Sequence, residues 1–129
     1  MSATPADLKR DLFGPNPVVR SIVAEQATEI IGYAIFFRSY STFLAKPGIW
    51  LEDLYVKNSE RGSGIGRALL AHVGRIAKEE GAGRLEWSVL DWNEPAIGFY
   101  KRLGADIMAD WRICRLEEAG IAALSNTAG

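Results

Sequence analysis

The chain has a single cysteine, Cys114, and a single histidine, His72. One thiol excludes a disulfide framework, and the two residues together are too few for a zinc centre. An excess of charge is also missing. Fifteen Lys and Arg face 16 Asp and Glu, for a net charge of −1, and no basic cluster longer than a pair marks a nucleic-acid footprint. The longest apolar run, from Ile30 to Phe37, is broken by Gly32 and is too short to span a bilayer. The first residues lack the basic and apolar regions of a signal peptide. These absences predict a soluble, cytoplasmic protein with no metal, no nucleic-acid partner and no membrane partner. What remains, 129 residues of which 48% are apolar and 24% charged, suits one domain around one core.

Three glycines fall within Arg61-Gly-Ser-Gly-Ile-Gly66, between an apolar run ending near Val56 and a strongly helical stretch. A strand, a loop with little side-chain bulk and a helix start would leave several backbone N–H groups aimed at one spot. The helix dipole adds partial positive charge there, and Arg61 adds a full one. The expectation is a phosphate cradle. Two familiar cradles do not fit. A Walker loop needs Gly-Lys followed by Ser or Thr, but Gly66 is followed by Arg67 and Ala68. A dinucleotide fingerprint needs a further glycine at Arg67 or Leu69. On these six residues alone, the alternative is a glycine-rich turn that only reverses the chain.

In chain order, Val18–Glu25 and Glu29–Tyr40 read as an antiparallel hairpin turning at Gln26–Thr28. Gly32 would weaken the second strand unless a bulge or a close backbone neighbour requires it. Ser41–Gly48 reads as a loop closed by Lys46-Pro47-Gly48, and Ile49–Val56 as a third strand. Glu52 and Asp53 interrupt that strand. Successive side chains point to opposite faces and a desolvated carboxylate is costly, so one of the two should face a wet cleft; a half-exposed strand end or an arginine partner would also account for them. Ile65, Leu69, Leu70, Val73, Ile76 and Ala77 recur at helical spacing, predicting a helix over Gly64–Glu80 that stops at Gly81. His72, on the flank of this stripe, reads as a partly packed surface residue. Leu85–Leu90 is a further strand, giving a βαβ unit, and ligands in such sheets sit beyond the strands' C-terminal ends. Asn93 is a candidate N-cap for a short helix ending at Gly104. Trp111–Leu116 reads as a last strand, and the tail from Glu117 as weakly structured.

Four ordered motifs, Trp50-Leu-Glu-Asp-Leu-Tyr-Val56, the Arg61-x-x-Gly64-x-Gly66 loop, Leu90-Asp-Trp-Asn-Glu-Pro95 and Phe99-Tyr-Lys-Arg-Leu-Gly-Ala105, resemble the GNAT superfamily of acetyl-coenzyme A dependent N-acetyltransferases. Within it they resemble the diamine branch, which includes the spermidine/spermine and thialysine acetyltransferases. Tyr40-Ser-Thr-Phe43 adds a weaker likeness to the thialysine side. The resemblance covers roughly residues 18 to 116. It implies an α/β (α+β) GNAT fold: a mixed, mostly antiparallel sheet with a central parallel βαβ unit splayed at the coenzyme site, without the usual first strand and helix. The implied organisation is an arm over 1–17, the acetyltransferase domain over 18–116 and a tail over 117–129.

The same resemblance implies the site. Leu54, Tyr55 and Val56 would pair with the pantetheine arm, a bulge there splaying their strand from Leu85–Leu90, with a backbone N–H near Tyr55 facing the thioester carbonyl. Arg61, Gly62, Ser63, Gly64, Ile65, Gly66 and Arg67 would hold the pyrophosphate, and Asn93, Ala96 and Tyr100 would also contact the coenzyme. Tyr100 matches the general acid that protonates the coenzyme A thiolate, although an ordinary packing tyrosine would fit its place in the sequence too. Glu52 matches the acceptor of the amine proton, through water, and Asp53 would help hold a cationic acceptor. The implied activity is transfer of acetyl from acetyl-CoA to a primary amine of a small polyamine, diamine or lysine-like molecule by direct attack in a ternary complex. An acetyltransferase for a protein or peptide amine, or a non-catalytic coenzyme-binding remnant, would share the coenzyme motifs. Only seventeen residues precede the first clear strand, so either the chain is a truncation or a neighbouring subunit supplies the acceptor wall, and a homodimer is expected.

Overall fold

The computed structural model describes residues 13, 15 and 17–126; the helical turn expected around Ala6–Leu12 lies outside them. The chain divides into two units, Met1–Ser88 and Val89–Gly129.

The first unit is built on a four-stranded sheet in the order β1 (Arg20–Gln26), β2 (Glu29–Ser41), β3 (Lys46–Val56) and β4 (Leu85–Glu86). The first two pairings are antiparallel and the last is parallel. Helix α1 (Ile65–Glu79) makes the crossover from β3 to β4. Its buried Leu69, Leu70, Val73 and Ala77 meet the Ala34 and Phe36 face of the sheet, together with Ile49 and Leu51. Arg20 stacks over the Phe36 ring at 5.0 Å and forks onto the Glu80 carboxylate, closing one margin of this layer.

Gly32 satisfies both conditions expected of a glycine inside a strand. The register of β1 and β2 slips between Ala24 and Glu25, leaving Ile31 as an extra residue beside it. A Cβ at Gly32 would stand 2.9 Å from the Tyr55 carbonyl oxygen and 3.2 Å from both Ile65 and Leu69. Any side chain here would therefore push α1 off the sheet.

Four expectations need correction. Lys46-Pro47-Gly48 is not a turn but the start of β3, opposite Ser41, Tyr40 and Ser39; the turn lies just before it, where Ala45 takes φ 54°. Pro47 is tolerated because it opens the strand and its nitrogen faces the side where β4 has not begun, and its carbonyl accepts from Gly83 at 2.8 Å. The strand expected over Leu85–Leu90 keeps only Leu85 and Glu86 in the ladder, opposite Ile49 and Trp50. The parallel pair forms one margin of the described sheet. In the second unit, residues 111–116 join no ladder: apolar alternation supplies strand propensity, but a strand also needs a paired neighbour. The tail from Glu117 is instead a helix, α3 (Glu118–Ser125), as its three alanines, the strongest helix formers, favour. The second unit also holds α2 (Glu94–Arg102).

Candidate active site

The acidic interruption of β3 is a β-bulge. Ile35 pairs with Asp53 and Phe36 with Leu51, so Glu52 is the extra residue. Across a bulge the alternation of faces resets. Glu52 and Asp53 consequently share one face, the face away from α1, and both are exposed. This corrects the expectation of opposite faces and explains how two carboxylates fit in an otherwise apolar strand without desolvation.

The reset also decides which backbone groups point outward. Before the bulge, the Ile49 N–H reaches Arg84 at 3.0 Å, so odd-numbered positions face β4. After it, the Lys57 N–H reaches Ile31 at 2.8 Å on β2, and because ladder bonds recur at every second pair, Tyr55 and Asp53 also turn theirs to β2. Leu54 and Val56 turn their backbone groups to the side where β4 has already stopped at Glu86. The outward donors next to Tyr55 are therefore those of Leu54 and Val56. The Val56 carbonyl accepts from Arg61 Nε at 3.1 Å, which ties the loop's cation to the end of the strand.

The loop then makes a single turn of 3-10 helix, Asn58–Glu60, and passes through Gly62 (φ 86°) to Gly64 (φ 89°), the N-cap of α1. Both angles lie in the left-handed region open to glycine. No side chain caps this helix. Its first bonded donor is Ala68 N–H, to the Gly64 carbonyl at 3.0 Å, which leaves the earlier N–H groups of Ile65, Gly66 and Arg67 pointing off the helix end. The first turn has no acidic residue but carries Arg67. A cation at the positive end of the dipole is unfavourable until an anion joins it. The arrangement is thus an anion site beside a strand edge with open donors, which fits a pyrophosphate followed by an amide-bearing arm.

On the bulge face, each carboxylate is held by one aromatic donor. Trp50 Nε1 donates to Glu52 Oε1 at 3.0 Å, and the Tyr33 hydroxyl donates to Asp53 Oδ2 at 3.4 Å. Tyr33 lies directly opposite Tyr55, with ring centroids 5.3 Å apart and planes at 29°. Burial, with the Asp53 carboxylate next in effect, lifts the Tyr33 phenol above its ordinary pKa. Neither Trp50 nor Tyr33 stood out as a site residue in the sequence, because their contacts depend on where the bulge falls. His72 is exposed beside Arg75, as expected of a surface residue.

Asn93, Ala96 and Tyr100 belong to the second unit. Asn93 is the N-cap of α2, its Oδ1 accepting from Ala96 N–H at 3.3 Å. Ala96 N–H is thus occupied, Pro95 has none and Glu94 N–H bonds the Trp92 carbonyl. The polar group that this turn still offers is the Asn93 side-chain nitrogen. Tyr100 is half-buried, tilted against Phe99 at 5.6 Å and 53°, and burial pushes its phenol pKa up. Among the described residues, no group of three or more His, Cys, Asp or Glu could hold a metal, and no helix is long and apolar enough to cross a membrane.

Residues 2–105 match the model of the acetyltransferase (GNAT) family, and the chain belongs to that family, whose members are acetyl-CoA dependent N-acetyltransferases. Its relatives agree with the diamine-branch resemblance. The chain is 40% identical over 110 residues to L-ornithine N5-acetyltransferase NATA1 of Arabidopsis thaliana, covering 85% of this chain and 45% of that protein. It is 37% identical over 121 residues to thialysine N-epsilon-acetyltransferase of Bos taurus, covering 85% of this chain and 71% of that one. The chain therefore spans less than half of the plant relative and about seven-tenths of the bovine one. Among solved structures, an integron cassette protein from the mobile metagenome of V. cholerae superposes with a TM-score of 0.82 at 29% identity, over 97% of this chain and 80% of that one.

Proposed function

We propose that this chain transfers acetyl from acetyl-CoA to the primary amine of a small polyamine, diamine or lysine-like acceptor, by direct attack in a ternary complex. The observation that carries the reading is the bulge at Glu52, which in one step turns the Leu54 and Val56 donors outward beside the α1 anion site and sets two carboxylates on the other face. When bound, acetyl-CoA supplies an acetyl group activated as a thioester. Arg61, Arg67 and the first N–H groups of α1 hold its pyrophosphate; Leu54 and Val56 align its amide-bearing arm as an added strand; Asn93 contributes its side-chain nitrogen. Glu52 takes a proton from the acceptor ammonium through water, because only the neutral amine is nucleophilic. Asp53 neutralises positive charge on the acceptor. Tyr100 holds a proton on its hydroxyl for the departing sulfur. Relatives that act on ornithine and thialysine support an acceptor bearing more than one charge.

Coenzyme A thiol release, measured with spermidine, thialysine, lysine and short peptides, tests the reading. Turnover is expected with the small amines and not with the peptides. Activity confined to peptides would replace the acceptor class, and tight acetyl-CoA binding without turnover on any amine would mark the chain as non-catalytic.

We further propose that the chain works as a homodimer. β1 is an edge of the described sheet with Val23 exposed on it, and exposed edges favour pairing with another chain. Light scattering at micromolar concentration should give twice the chain mass; a monomeric mass rejects this.

A further inference from the structure

The bulge face of the sheet holds two like charges on adjacent residues, and neither Glu52 nor Asp53 is ion-paired among the described residues. Each has one oxygen in contact with an aromatic donor, Trp50 for Glu52 and, at 3.4 Å, Tyr33 for Asp53, and among the described residues the second oxygen of each has no partner and can receive a ligand. The two clamps differ in origin. Trp50 lies two residues from Glu52 on the same strand, whereas Tyr33 comes from β2 and reaches Asp53 diagonally across the ladder. Its ring is already anchored by the stack on Tyr55, so the hydroxyl adds nothing to ring packing, and its one described partner is Asp53 Oδ2. A fixed carboxylate beside a second one favours a ligand with two cations over a ligand with one, since a monocation leaves one of the like charges unrelieved.

This inference rests on the reading that the bulge face receives the amine acceptor. We propose that Tyr33 is a positioning residue that orients Asp53 toward a second cationic group on the acceptor, and so sets a preference for dicationic over monocationic amines. Without the hydroxyl, Asp53 rotates among its rotamers, and the ordering of the carboxylate falls on the binding step.

The test compares putrescine, a dication, with butylamine, a monocation of equal chain length, by calorimetric titration in saturating coenzyme A and by initial rates. Tyr33→Phe keeps the ring and its stack. It should weaken putrescine binding roughly five- to tenfold, the order of a typical net hydrogen bond, and raise KM for putrescine equally with kcat little changed. Butylamine should respond to neither measurement. In an Asp53→Asn background, Tyr33→Phe should have no further effect. Equal losses for both amines, or an undiminished Tyr33→Phe effect in that background, would overturn the role. Calorimetric discrimination of this kind without turnover by the parent protein would sink the proposed activity and leave the Tyr33 role standing. Failure of the parent protein to bind either amine would overturn both.

Discussion

Exchanging Tyr100 for Phe should lower the maximal rate of acetyl transfer about a hundredfold or more, the usual worth of a positioned acid, with coenzyme affinity nearly unchanged. The substitution isolates the proton. Phe fills the same half-buried place and retains the tilted contact with Phe99. Burial pushes the Tyr100 pKa up, which keeps the phenol protonated throughout the neutral range, as an acid that must donate requires. The sign of the pH dependence follows. Activity that depends on the protonated phenol declines as pH rises through the elevated pKa, above the ordinary value of about 10, and the Phe variant should lack that alkaline decline. Rates and coenzyme dissociation constants measured on both proteins across pH check each part. An unchanged maximal rate would return Tyr100 to the role of a packing aromatic.

Much of this was legible from short-range signals. The stripe from Ile65 to Ala77 gave α1 nearly to the residue, because a helix that buries one face writes its period into the sequence. Asn93 announced the start of α2 and caps it as expected. The glycines marked a loop of little side-chain bulk before a helix start, and the chain turns there through Gly62 and Gly64 with positive φ. What stayed hidden depends on pairing across the sheet. Glu52-Asp53 conflicted visibly with the apolar pattern of β3, but only the family resemblance implied a bulge, at Leu54–Val56, and neither signal placed it at Glu52. A bulge is set by which residues of two strands stand opposite one another, and without it Tyr55, in place of Leu54 and Val56, would turn its backbone groups outward. The same dependence concealed the Tyr33 contact with Asp53, whose partners lie twenty residues apart in sequence. Residues 111–116 show the opposite failure: their local pattern is strand-like, and no partner strand among the described residues completes it.

The anion cradle can be separated from plain backbone strain, because α1 has a left-handed glycine at each end. Gly64 (φ 89°) caps its start and Gly81 (φ 72°) follows its last turn, and a Cβ on either would meet nothing within 4 Å. Gly64→Ala and Gly81→Ala therefore carry a similar conformational penalty, about 1–2 kcal/mol each, with no steric contribution from neighbours. Both should lower the denaturant midpoint by comparable amounts. Only Gly64 precedes the open N–H groups of Ile65, Gly66 and Arg67. If those donors hold the coenzyme pyrophosphate, pulling residue 64 out of the left-handed region misaims them, and two or three charge-assisted bonds weaken together, worth a loss of tenfold or more in affinity. Calorimetric titration with coenzyme A should show that loss for Gly64→Ala and an unaltered constant for Gly81→Ala. Dephospho-forms that keep the pyrophosphate should follow the same pattern, while free pantetheine, which lacks it, should bind both variants equally. Equal coenzyme affinities in the two variants would mean that the loop only turns the chain, the reading that its six residues permit when taken alone.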